Sequence, residues 1–284
     1  MTSFRVERFE TPDGLTLVAD VGGPEGAPSV VLLHGGGQTR HSWAGTMGQL
    51  VDQGYRVINV DARGHGDSDW APDGEYRFTT QAGDLMAILA KVGRPVALVG
   101  ASMGGATSFY AVGSHAEPIA DALVLVDIVP RPAEGGARRI HAFMNANPDG
   151  FASVEEAADA VSAYYPERPR PKDVSGLRKN LRLRDGRYYW HWDPRILEMT
   201  QQAEPPHFSD ELIRVAPCVT LPTLLVRGGK SDVVDDAGVA EMLRLVPHTE
   251  IFDVAGAGHM VAGDRNDPFS AGMIAFLGRH IPPR

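Results

Sequence analysis

Cysteine is almost absent: Cys218 is the only one, so no intrachain disulfide can form, and a reducing compartment is the expectation. No apolar run approaches the roughly 20 residues needed to cross a bilayer. The first residues, Met1-Thr2-Ser3-Phe4-Arg5-Val6-Glu7, hold no apolar stretch of secretory type, which points to a cytoplasmic location. Positive charge is in the minority. Lys and Arg number 27 against 36 Asp and Glu, a net −9, which argues against nucleic acid and against anionic membranes as partners. The ten histidines are scattered without a His-Glu-x-x-His or other ligand spacing. No Gly-Lys-Ser/Thr phosphate cradle is present, and Gly100 to Gly105 does not match Gly-x-Gly-x-x-Gly. No metal and no cofactor are therefore expected. The expected partner is a small-molecule substrate, for a monomer or small homo-oligomer. No internal repeat or low-complexity tract is visible.

What is present has the rhythm of an α/β protein. Phe4–Phe9 and Leu15–Ala19 alternate around Pro12-Asp13-Gly14, which predicts a hairpin. From residue 29 onward short continuous apolar runs appear: Val30–Leu33, Val57–Val60, Val96–Val99, Leu123–Val126, Leu224–Val226 and Glu250–Val254. Strands apolar on both faces belong to a parallel sheet covered by helices. Leu85, Ile88, Leu89 and Val92, closed by Gly93, keep helical spacing, as do Val239, Met242, Leu243 and Val246. The alternation stops at residue 130 and resumes near 222. The intervening segment predicts a mostly helical insertion over the carboxyl ends of the strands. It holds an amphipathic helix opened by a capping box of Ser153 and Glu156, then a basic helix, then the cluster Tyr188-Tyr189-Trp190-His191-Trp192. The expected domains are a core of residues 1–129 and 216–284 and a cap of 130–215.

The chemistry concentrates in three places. Ser102 lies in Gly100-Ala101-Ser102-Met103-Gly104, directly after an apolar run, the pattern of a nucleophile elbow. A sharp turn that pushes the hydroxyl off the sheet leaves no room for side chains two residues either side, hence the glycines. A serine hydroxyl needs a base, and the base needs a carboxylate to fix its tautomer. His259, in Gly256-Ala257-Gly258-His259, and Asp232, in Gly228-Gly229-Lys230-Ser231-Asp232, each follow a predicted strand and complete the order Ser, acid, His. Asp235 and Asp236 are read as caps of the next helix. Two N–H groups must hold the oxyanion: that of Met103, and that of Gly36 in His34-Gly35-Gly36-Gly37, with Gly35 and Gly37 as near alternatives. His34 is read as a structural anchor of that loop. Gly35, Trp43, Trp190 and Trp192 are candidate substrate-lining residues, although aromatic residues also form the core of a small cap. Residues 170–187 hold seven basic and two acidic side chains, net +5, read as a solvated face or, alternatively, a dock for an anionic substrate.

With His34-Gly35, Asp61-Ala62-Arg63-Gly64-His65-Gly66-Asp67-Ser68, Gly-x-Ser-x-Gly-Gly and Gly-x-Gly-His in place, the sequence resembles the α/β-hydrolase family over essentially its whole length. The resemblance implies an eight-stranded, mostly parallel, doubly wound sheet with a helical cap inserted after strand six. It implies that Arg63 and His65 shape a loop rather than react, and that Asp127 stands where some relatives carry their acid. Ser102 argues against the epoxide hydrolases and dehalogenases of this fold, which use an Asp nucleophile. Ala101 and Met260 stand where carbon–carbon bond hydrolases usually have Asn and Trp. The implied activity is hydrolysis of an ester, lactone or thioester of a small to medium, largely apolar substrate. Alternatives on the same residues are a cofactor-free perhydrolase, a carbon–carbon bond hydrolase and a ligand receptor without turnover.

Overall fold

Each apolar run becomes a strand of one eight-stranded sheet in the computed structural model, which describes residues 4–166, 170–202, 206–259 and 266–283. The strands are β1 (Arg5–Glu10), β2 (Thr16–Gly22), β3 (Ser29–Leu33), β4 (Arg56–Val60), β5 (Val96–Ala101), β6 (Ala122–Val126), β9 (Thr223–Gly228) and β10 (Glu250–Val254). Their order across the sheet is β1-β2-β4-β3-β5-β6-β9-β10. β1 and β2 form the antiparallel hairpin, in register from Arg5↔Val21 to Glu10↔Thr16, and β2 also runs antiparallel to β4. From β4 to β10 every pairing is parallel.

The pleat explains why these runs carry no polar alternation. Val31, Leu98, Leu123 and Leu225 face one core, shared with α2 (Phe78–Val92), α3 (Met103–Ser114) and α8 (Asp236–Leu245). Val30, Leu32, Val99, Val124 and Leu224 face the other, packed on α1 (Ala44–Asp52) and α9 (Asn266–His280). Gly93 ends α2 with φ 73°, a left-handed conformation that glycine adopts without strain. Asp235 caps α8 by accepting the Gly238 N–H at 2.8 Å, whereas Asp236 pairs with Arg227.

Between β6 and β9 lie α4 (Glu134–Asn145), α5 (Val154–Tyr164), the strands β7 (Leu181–Arg184) and β8 (Arg187–Trp190), α6 (Arg195–Gln202) and α7 (Pro206–Val215). Ser153 caps α5 through the Glu156 N–H at 3.2 Å, and the Glu156 carboxylate accepts the Ala152 N–H at 2.5 Å. The basic stretch is not an α-helix. It is a 3-10 turn (Ser175–Asn180) followed by the β7–β8 hairpin. Asp185 and Gly186 have φ of 49° and 78°, the doubly left-handed turn that an Asp-Gly pair favours between two strands. Three of its arginines lie over aromatic rings. Arg178 lies over Tyr188, Arg182 over Trp70 and Arg184 over Tyr189, at 5.9, 4.7 and 4.4 Å from the ring centres.

Candidate active site

Ser102 leaves β5 with φ 46° and ψ −112° and opens α3, the strained turn that the glycine pattern anticipates. A Cβ on Gly100 would stand 2.4 Å from the Gly104 carbonyl, and one on Gly104 would stand 2.6 Å from the Leu33 carbonyl oxygen. The Ser102 N–H is held by the Val126 carbonyl at 3.0 Å, so the elbow is tied to β6.

Ser102 and His259 both line the large cavity above the carboxyl ends of the strands. The carboxylate that meets His259 is Asp127, not the Asp232 expected from the chain order. His259 Nδ1 lies 2.7 Å from Oδ2 of Asp127, the residue directly after β6. Asp232 instead pairs with Arg139 at 3.2 Å, on a half-exposed surface. The residue that reaches the site from that loop is Ser231, whose hydroxyl donates to Asp127 at 2.5 Å and accepts the N–H groups of Val233 and Val234. The Gly228 N–H gives Asp127 a further bond at 3.0 Å. Asp127 is wholly buried, and three donors compensate its carboxylate for lost water. Its backbone has φ 52°, rare for a residue with a side chain and a second strained point in the site. The signal was legible: an Asp closes β6, the strand beside the elbow strand, whereas Asp232 lies farther along its loop, beyond Ser231. Because a carboxylate only accepts, the proton on this bond belongs to Nδ1, leaving the Nε2 lone pair of His259 for a proton from a hydroxyl. Met260, the next residue, lies outside the described residues.

The glycine loop is built from within. His34 Nε2 accepts the Ala62 N–H at 3.0 Å, so its Nδ1 carries the proton and donates to the Gly35 carbonyl at 2.8 Å. The Gln38 N–H reaches the same carbonyl at 3.1 Å. In a trans peptide the carbonyl and the following N–H point in opposite directions, so two bonds on the Gly35 carbonyl aim the Gly36 N–H the other way. The Gly35 N–H is taken by Gln38 Oε1 at 3.0 Å and that of Gly37 by His65 Nε2 at 3.2 Å. The Gly36 N–H has no protein acceptor among the described residues. The Met103 N–H is the first of α3 and has no partner within its helix. Both residues line the cavity, and a Cβ on Gly35 would come within 3.4 Å of Ser102 Cβ. Arg63 is buried away from this wall, between Asp84 at 2.6 Å and Asp13 at 3.0 Å.

The cavity encloses about 1800 Å³ and its wall is mostly apolar. Trp190 and Trp192 stack at 5.0 Å and 12°, and both line it while forming the core of the inserted segment with Phe151 and Met144. Trp43 lines it from below, buried against Phe269. On another side Phe78 meets Tyr110 and Phe208 edge-on at 5.3 and 5.2 Å. Three arginines on the wall are ion-paired: Arg77 with Glu75, Arg131 with Glu241, Arg214 with Glu211.

Comparison with known proteins agrees with this architecture. A family model described as the alpha/beta hydrolase fold matches residues 28–265. A mouse (Mus musculus) sn-1-specific diacylglycerol lipase is 32% identical over 273 residues, covering 88% of this chain and 81% of the lipase. An esterase of Mycobacterium tuberculosis is 30% identical over 256 residues, covering 84% of this chain and 79% of the esterase. The solved structure of an E-2-(acetamidomethylene)succinate hydrolase superposes with a TM-score of 0.84 over 97% of this chain and 99% of that one, at 24% identity, a likeness of fold.

Proposed function

Since the chain belongs to the α/β-hydrolase family and is an enzyme of it, we propose that it cleaves carboxylic esters through an acyl-enzyme on Ser102. The observation that carries the reading is the 2.7 Å bond between Asp127 and His259, on the cavity wall that also holds the strained serine. Ser102 Oγ attacks the ester carbonyl as His259 Nε2 takes its proton, and Asp127 holds the imidazolium that results. The carbonyl oxygen becomes an oxyanion, which the N–H groups of Gly36 and Met103 receive. The tetrahedral adduct collapses, the alcohol departs with the proton from His259, and the acyl group stays on Ser102. Water, deprotonated by His259, then releases the acid and restores the hydroxyl.

The substrate class follows from the wall. Its surface is mostly apolar and rich in aromatic and aliphatic groups, which favours a neutral, largely apolar ester, in keeping with a lipase and an esterase among the relatives. Residues 130–215 act as the cap that shapes this space, over a core of residues 1–129 and 216–284. Substrate contact falls to Gly35, Trp43, Trp190 and Trp192. The single cysteine favours a cytoplasmic setting, and no helix among the described residues is long and apolar enough to cross a membrane. The test is Ser102→Ala, which abolishes turnover of short p-nitrophenyl esters and labelling by a serine-directed phosphonate while the circular dichroism spectrum stays native. Turnover or labelling that survives the substitution refutes the reading.

A further inference from the structure

Gly37, next to the proposed oxyanion donor, has both its backbone polar groups held by imidazoles from distant segments. His65, in the loop after β4, accepts its N–H at 3.2 Å. His191, just after β8 in the inserted segment, reaches its carbonyl with Nε2 at 3.3 Å. His191 Nδ1 accepts the Gly66 N–H at 2.8 Å, which forces its proton onto Nε2 and makes the contact with Gly37 a donation. His34, His65 and His191 follow one another with ring centres 5.0 and 5.8 Å apart, and His191 meets Trp192 edge-on. Gly37 itself has φ 72°, and a Cβ there would stand 3.3 to 3.4 Å from Met144 and Trp192. The inserted segment therefore grips this glycine by its carbonyl and packs on its α-carbon.

The same segment is fastened nearby by further polar contacts. Arg182 donates to the Gly66 carbonyl at 2.5 Å, Thr39 donates to Asn180 at 3.1 Å, and the Asp193 N–H reaches the Gly64 carbonyl at 2.9 Å. His191 is 2% exposed, too deep to meet solvent.

We infer that His191 is a positioning residue: as a neutral imidazole protonated on Nε2, it fixes the Gly37 peptide and through it the direction of the Gly36 N–H, so that the oxyanion site is complete only when the β7–β8 hairpin is docked. The inference rests on the ester-hydrolase reading for its effect on rate, but its geometry is testable without turnover. An oxyanion donor acts over a few tenths of an ångström, and losing one costs about 100- to 1000-fold in kcat; a donor that is merely loosened costs less.

Two variants separate the two bonds of this ring. Asn in His191→Asn places an acceptor where Nδ1 stands, keeping the Gly66 bond, but is too short for Gly37. Gln in His191→Gln places a donor where Nε2 stands, keeping the Gly37 bond and losing that to Gly66. On p-nitrophenyl butyrate we expect H191N to lose about tenfold or more in kcat with KM within about twofold, and H191Q to recover most of the loss. Both variants within twofold of the parent kcat, or both falling equally, overturns the inference. Should H191N not fold, ¹⁵N NMR of the parent protein decides: a neutral His191 imidazole carrying its proton on Nε2 supports the inference, and a proton on Nδ1 or on both nitrogens overturns it. A parent protein without Ser102-dependent ester turnover defeats the catalytic reading instead, and the ¹⁵N result then still judges the geometry at Gly37.

Discussion

Asp127 and His259 stand 132 residues apart in the chain and 2.7 Å apart in space. The bond reaches past β9, because Asp127 closes β6 while His259 follows β10 at the edge of the sheet. Asp127→Asn would leave the shape but replace an obligate acceptor by an amide that can present its NH₂ to Nδ1. The imidazole then settles in the wrong tautomer, and kcat falls about 10⁴-fold. Asp232→Asn breaks only a half-exposed pair with Arg139, worth about 0–1 kcal/mol, and leaves kcat within about threefold. Steady-state kinetics of the two variants side by side check the assignment. A larger loss in the Asp232 variant would return the acid to that residue.

The elbow glycines give a second prediction. Gly104→Ala forces a methyl group to 2.6 Å from the backbone oxygen of Leu33, which no rotamer can relieve. Overpacking against the main chain costs about 1–3 kcal/mol and turns the serine out of line. Gly83, inside α2, is the control: nothing lies within 4 Å of an added Cβ. Gly83→Ala should raise stability by about 0.5–1 kcal/mol and leave activity unchanged. Urea denaturation of both, with ester assays, is the measurement.

A third prediction concerns acid. Burial lowers the pKa of His34 and His191 below the ordinary imidazole value and pushes that of His65 down to about 3. Unfolded, each imidazole takes a proton near pH 6.5, as in peptides. Below about pH 6.5 the unfolded chain thus binds protons that the folded chain refuses, down to about pH 3 at His65, and acid favours unfolding. Stability is full above pH 6.5 and declines below it, by up to about 1.4 kcal/mol per pH unit for each such imidazole. Denaturant midpoints measured from pH 8 to pH 5 follow this decline, and a flat profile would count against neutral burial of the three rings.

Much of this was legible in the sequence, and for physical reasons. Strands buried on both faces must be apolar throughout, so Val30–Leu33 and Val96–Val99 declare themselves without any partner in view. The elbow declares itself because only glycine fits at positions 100 and 104. The acid was harder, since several aspartates follow strands and only the lateral order of β6, β9 and β10 decides which one meets His259. The abundance of basic residues before the aromatic cluster suggests a helix where the chain forms the β7–β8 hairpin. The Asp185-Gly186 pair and the two-residue alternation of Leu181, Arg182, Leu183 and Arg184 were the better signals. The contact of His191 with Gly37 joins residues 154 apart, beyond any local pattern.

The place of Asp127 also divides the polypeptide in a way that Asp232 would not. Ser102 and Asp127 both come before the long excursion between β6 and β9, and His259 alone comes after it. Cutting the backbone anywhere within that excursion would give one piece bearing two of the three groups and another bearing the third. Neither piece would turn over substrate by itself, and reactivity would return only on reassociation, when β9 slots in beside β6.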